Sequence, residues 1–365
     1  PILLNNIANP NLTWETTEQL NFGLDFSVLD ERISGTIDVY DKTTKDLLQN
    51  IPIPNSTGDS NFVINKGTIN NKGVELGLNF DLISSDDIEL SLGGNIAFNR
   101  TKLESLGIPP SDFYINGVAN HRSFFFGNQV SRGQIFQSSP NVFVEGEESS
   151  LFYGFETNGI YQTVDTDIPS GAEPGDVRIV DQNGDGIIDA DDRTFIGNPN
   201  PDYIYGLNFN FRYKRFNASV LLNGVSGNDI ANGNLLTIGN ASGQFQNIPK
   251  DAYYNAWRSD VPSNTHPRIG YDTVGDLAIT DRIIEDGSFL RLNNITIGYD
   301  LPVENSKLFE RFNIFVTAQN LHVWTNYSGY NPEISSFSYD GLRNGVDWNG
   351  SPDAKNISFG VNINF

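Results

Sequence analysis

The sequence predicts an all-β protein, a transmembrane antiparallel up-and-down β-barrel with short turns at one end and long loops at the other. Three observations carry that reading. Apolar and polar residues alternate with period two over many segments, which puts one apolar face on each strand. Short turns and long polar connections succeed one another along the chain, the asymmetry of barrels that cross a membrane. The polar partners in the alternation are largely Asn, Gly and Ser rather than the paired charges of a soluble surface, so the apolar face reads as lipid-facing and the other as water-facing.

The clearest hairpin sets Tyr203, Tyr205, Leu207, Phe209, Phe211 and Tyr213 on one face and Ile204, Gly206, Asn208, Asn210 and Arg212 on the other. The two-residue turn Lys214-Arg215 forces antiparallel return through Phe216, Ala218, Val220 and Leu222. Before it, Leu20–Val28 turns at Asp30-Glu31-Arg32 into Ile33–Thr43, and Val74–Leu82 turns at Ser84–Asp87 into Ile88–Phe98. Residues 44–72, with Pro52 and Pro54, read as a loop, and so does 104–138 with its Phe124-Phe125-Phe126 cluster. Asn141–Val144 and Leu151–Gln162 suggest a further hairpin of poor alternation. After the loop 228–287, where Asp251–Arg258 suggests a turn or two of helix, Phe289–Leu301 and Arg311–Trp324 pair across Pro302–Glu310. Their apolar phase slips at Asn293-Asn294 and Gln319-Asn320, as a β-bulge would cause. Ile357–Phe365 closes the series after the loop 325–354, for about eleven strands in all.

Composition sets limits. The formal net charge of −22 argues against nucleic acid as a partner, since phosphates need Lys and Arg. With no Cys there is no disulfide, thiol chemistry or Cys-held metal. No run of about 18 apolar residues is present, so a helical membrane span is excluded, which leaves strands free to cross. The chain starts at Pro1 without methionine or leader, so it is expected to be an internal or processed piece. His121, His266 and His322 form no short-range metal pair, and no nucleophile elbow or phosphate-binding loop occurs, so an enzyme is not expected.

Within residues 163–201 lies an acidic loop. Asp181, Asn183, Asp185, Gly186, Asp189 and Asp192 fall at the oxygen-ligand spacing of a calcium loop, with Gly186 for the sharp turn and Ile187 offering its carbonyl. Calcium is the cofactor this spacing implies; the plainer alternative is a solvated acidic turn. The flanks read as strand and loop, not as paired helices. Trp257, Trp324, Tyr330 and Trp348 sit in or beside the outer loops, where their faces suit stacking on sugar rings or peptide side chains; the competing roles are an interfacial girdle and packing within the loops.

The passages GDVRIVDQNGDGIIDADDRTFIGNPNPDYIYGLNFNFRY, DGSFLRLNNITIGYDLP, FVTAQNLHVWTNYSGYNPEIS and NISFGVNINF resemble the C-terminal half of SusC/RagA-like TonB-dependent outer-membrane transporters. So does the opening NPNLTWETTEQLNFGLDFSVLDERISGTIDVYDKTTKDLL, which is similar to a mid-barrel hairpin of that family. The resemblance implies a barrel of about twenty-two strands around an N-terminal plug, of which this chain supplies the later wall. It also implies import of oligosaccharides or oligopeptides across the outer membrane of a Bacteroidota-like cell, energy from the TonB complex through the missing N-terminal part, and a SusD-like lipoprotein lid. Two alternatives stand beside it: a soluble or secreted calcium-stabilised glycan-binding β-protein, and a passive porin.

Overall fold

The computed structural model describes residues 9–52, 61–132, 136–238, 248–270, 279–303, 308–333 and 336–365. Its frame is a nine-stranded antiparallel sheet whose spatial order follows the chain: Thr16–Val28 (β1), Ile33–Lys45 (β2), Thr68–Ser84 (β3), Ile88–Ser105 (β4), Tyr203–Tyr213 (β5), Phe216–Ser226 (β6), Phe289–Asp300 (β7), Arg311–Thr325 (β8) and Asn356–Asn364 (β9). Residues 29–32, 85–87 and 214–215 turn the chain at one end, as does the connection 301–310, part of which lies outside the described residues. The long connections 46–67, 106–202, 227–288 and 326–355 all leave from the other.

Register makes the two faces continuous. Val28, Ile33, Phe80, Leu92, Phe209, Val220, Ile295, Ala318 and Ile357 stand side by side across all nine strands. One residue along, the row reads Ser27, Ser34, Asn79, Gly93, Asn208, Leu221, Asn294, Gln319 and Asn356. Directly opposed residues share a face, so these rows lie on opposite sides of the wall. Phe22, Leu24, Val39, Val74, Phe98, Leu207, Phe209, Ile297, Ile314 and Phe359 are exposed, and all belong to the apolar side. On the polar side Gly93 makes room: a Cβ there would meet the carboxamide oxygens of Asn208 at 2.1 Å and Asn79 at 2.7 Å, which close over it. The phase slip expected in the seventh and eighth strands is present, with register shifting between Leu292 and Asn294 and Asn320 in the left-handed region at φ 53°.

Two expectations need correction. Asn141–Val144 and Leu151–Phe155 do pair antiparallel, but in a separate four-stranded sheet with Phe124–Phe126 and Arg193–Gly197, so among the described residues the wall has nine strands rather than eleven. Both segments are buried along their whole length, and that is why neither alternates. The loop expected at 44–72 is shorter, because β2 runs to Lys45 and β3 begins at Thr68, with a hairpin of Leu48–Pro52 and Asn61–Asn65 between them. The helical turn expected at Asp251–Arg258 is found at Lys250–Tyr254.

Among the described residues the hydrophobic clusters lie mainly in the loops, one of them taking in Leu103 at the loop end of β4. Phe152 is fully buried against Val130, Ala231 and Val346, residues of three different connections. Phe113, Val142, Val144, Leu151 and Tyr153 form a second cluster. Asp229–Asn232 pairs with Ile284–Asp286 and, in parallel, with Val346–Asp347, which ties the connections 227–288 and 326–355 together. The loops thereby form one cap at one end of the wall.

Candidate functional site

The acidic loop belongs to this cap. Its turn is written by carboxylates accepting from the loop's own amides. Asp181 accepts from Gly184 N at 2.6 Å and Gly186 N at 2.7 Å, Asn183 Oδ1 from Asp185 N at 2.9 Å, and Asp185 Oδ1 from Ile187 N at 2.7 Å. Gly186 has φ 80°, the left-handed geometry that a side chain would strain. Asp189 caps the short helix Ala190–Asp192 and accepts from Asp191 N at 2.9 Å. Asp192 is fully buried and binds Gln182 N at 2.8 Å with one oxygen and Asp189 N at 2.9 Å with the other.

Charge in this loop is thus balanced by N–H dipoles. The amide of Gly186 above all, with those of Gly184 and Asp185, holds the Asp181 carboxyl below the usual aspartate range against the opposing effect of desolvation. Tyr114, on the neighbouring hairpin Ser111–Ile115/Val118–Arg122, has its ionisation pushed up by a hydrogen bond to Asp191 and that residue's charge. Among the described residues no three His, Asp or Glu side chains converge as a metal-holding group. Asp181, Asn183, Asp185 and Asp189 remain at or near the surface, while Asp192 and its two amide bonds close the loop from beneath.

The four aromatic candidates are not brought together. Trp257 is half-buried, donates from its indole N–H to Gln162 Oε1 at 2.9 Å and lies on Gly175. Trp348 packs against the cap core beside Gly233 and the cluster of Phe152 and Val346. Trp324 is opposite Leu290, which is opposite Gly224 and, through it, Tyr205, so it stands in a row of the apolar face with its edge on the His322 ring at 4.6 Å. Tyr330 is 75% exposed in the last loop.

Sequence reasoning missed Arg291. It lies on the polar face of β7 in register with Asn223, yet is 3% exposed, with Asn331, Glu333 and Asp353 of the last loop around its guanidinium. The one available signal was a charged residue at a strand position flanked across the sheet by Asn223 and Val323, neither of which is charged.

Comparison with known proteins agrees with this architecture. A family model described as TonB dependent receptor-like, beta-barrel, matches residues 3–132. The chain is 31% identical to TonB-dependent receptor P3 of Formosa agariphila over 100% of its own length and 35% of the relative's. It is 30% identical to the TonB-dependent receptor SusC of Bacteroides thetaiotaomicron, over 98% and 32% respectively. The chain therefore spans about a third of the length of these relatives. Among solved structures, the RagAB peptide transporter superposes with TM-score 0.77 at 23% identity, over 98% of this chain and 36% of that one, a likeness of fold.

Proposed function

We propose that this chain, which shares the β-barrel fold of the TonB-dependent receptors over part of their length, forms part of the wall of an outer-membrane importer for oligosaccharides or oligopeptides. The observation that carries the proposal is the pair of unbroken rows across nine strands, apolar and exposed on one side, rich in Asn, Ser and Gly on the other. A soluble protein seldom leaves so large an apolar face to water, whereas lipid requires it. That weighs against the secreted β-protein alternative. The homologues are receptors rather than enzymes, in keeping with a wall that positions and passes cargo without covalent chemistry.

In this reading a SusD-like lipoprotein covers the cap end, and the TonB complex acts through the portion of the protein outside this chain. Likeness to the TonB-dependent receptor SusC and to the fold of the RagAB peptide transporter supports the reading. The experiment is growth of a deletion strain, complemented with the full-length protein, on a starch digest or a protein digest as sole carbon source, beside extraction of the protein with and without detergent. Detergent-dependent extraction with rescue on either digest supports import. A water-soluble protein, or no rescue on both, overturns it.

Calcium belongs to the same proposal. Asp181, Asn183, Asp185, Asp189 and the Ile187 carbonyl are hard oxygen donors of the kind calcium takes, and Asp192 fixes the turn that carries them. An ion there would order the loop at the cap surface and offset the mutual repulsion of its carboxylates.

A further inference from the structure

Arg291 gathers the two ends of one loop. Its Nη2 reaches Asn331 Oδ1 at 2.7 Å and Glu333 Oε2 at 2.8 Å, and its Nη1 binds Asp353. Asn331 donates to Asp353 at 2.8 Å and accepts from the Glu333 amide at 3.0 Å. From the wall, Asn223 of β6 donates to Glu333 at 3.1 Å and is itself held by Asn293 at 3.0 Å. Asn331 and Glu333 follow β8 and Asp353 precedes β9, so a single buried cation fastens both ends of the connection 326–355 to the polar face of β6 and β7. Further along the same connection, Val346, Asp347 and Trp348 are seated in the cap core. The last loop is a strap, pinned to the wall at its base and to the cap beyond.

Among the described residues Arg291 Nε is buried without a protein hydrogen-bond partner, so the pin rests on the two Nη groups alone. The side chains of Glu333 and Asp353 are 37% and 42% exposed, so water can solvate both carboxylates as soon as the guanidinium leaves. An ion pair kept for stability alone gains little over an apolar contact of the same volume. Here it sits on the side of the wall that cargo would pass.

We propose that Arg291 is the positioning residue of a releasable strap, which lies over the lumen face of β6 and β7 and must lift for cargo to pass that level. The passage rests on the importer reading; the clasp does not. The test uses the full-length protein. Hydrogen exchange should show Arg291→Gln raising the rates of amides in 326–333 and 336–355 about tenfold or more, with β6 and β7 protected as in the wild type. Adding the pair Asn223→Cys/Glu333→Cys to that variant and bridging it with a short bis-methanethiosulfonate, which spans two positions whose side-chain ends meet at 3.1 Å, should restore protection, because the cross-link replaces the missing clasp. Unchanged rates in Arg291→Gln, or no restoration on cross-linking, overturn the clasp. The same cysteine pair in the wild-type background tests passage by growth on a starch digest or a protein digest, bridged by that reagent and then reduced. Growth lost on bridging and regained on reduction supports the strap, while undiminished growth with the cross-link formed overturns it. Failure of wild-type complementation would instead indict the importer reading, with the exchange result still deciding the clasp.

Discussion

The Tyr327 hydroxyl donates to a carboxylate oxygen of Asp347 at 2.6 Å inside the cap, where Asp347 is 1% exposed. Ser336 Oγ at 3.3 Å and Gly350 N at 3.1 Å donate to the other oxygen, so the buried charge is satisfied by three donors from one loop. Tyr327→Phe removes the shortest of them and should cost about 1.5–3 kcal/mol, the worth of a hydrogen bond to a charged group. A melt followed through the fluorescence of the nearby Trp348 checks it.

The same pair gives the cap an alkaline limit. Burial first, then the hydrogen bond and charge of Asp347, push the Tyr327 ionisation upward. A raised pKa means that the folded state holds the proton more tightly than the unfolded one. The stabilisation is therefore complete below the ordinary tyrosine value of about 10 and declines as pH rises above it. The wild-type melting temperature should fall with pH through that window, and the Tyr327→Phe protein should lack the part of the slope that Tyr327 supplies.

Adjacent residues of β5 separate the two faces of the wall. Phe209→Arg places a charge in the apolar row and should cost about 2–4 kcal/mol in lipid, whereas Asn208→Arg, one residue away on the polar side, should cost under about 1 kcal/mol. Urea titration of the full-length protein folded in lipid vesicles compares them. Equal costs would remove the assignment of lipid to the Phe209 side.

The acidic loop has its own acid limit. The lowered Asp181 pKa contributes order above the ordinary aspartate value of about 3.9 and loses it as pH falls through the folded-state value, so the protection of the Gly184 and Gly186 amides relative to their intrinsic exchange rates should fall only in acid. At neutral pH, calcium titration by calorimetry should give one binding event that Asp181→Asn with Asp185→Asn abolishes. Absence of heat would leave a turn supported by its own amides.

Gly154 is a packing point in the cap. A Cβ there would sit 2.2 Å from the Ile279 carbonyl oxygen, a backbone atom that Phe155 N already binds at 2.9 Å. Gly154→Ala should cost about 1–3 kcal/mol through this overpacking and increase proteolytic cleavage in residues 227–288, while the wall stays resistant.

The wall was legible because one face of each strand is apolar and the other polar, which keeps the residues alternating within each strand apart from the bulges, as at Asn293-Asn294. The cap was not. Phe152, Tyr153 and Phe155 are buried whichever way they point, so their segment carries no period and reads as a poor wall strand. Trp348 looked like a stacking surface, yet much of its packing comes from Phe152, Gly233 and Ile279, distant in the chain, and no local pattern announces them. The spacing of Asp181 to Asp192 did announce a turn, because each carboxylate there bonds an amide within a few residues.

Strand order in the wall equals order in the chain, and this bears on how the barrel comes together. Each strand needs only its predecessor in place, so the sheet can grow by successive hairpins, the three short turns closing first at little entropic cost. Even the long excursion through residues 106–202 delays β5 modestly: closing it costs only about 2 kcal/mol more than closing a ten-residue turn, since the penalty rises with the logarithm of length. An insertion large enough to hold its own core can thus sit between two wall strands without disturbing their zippering.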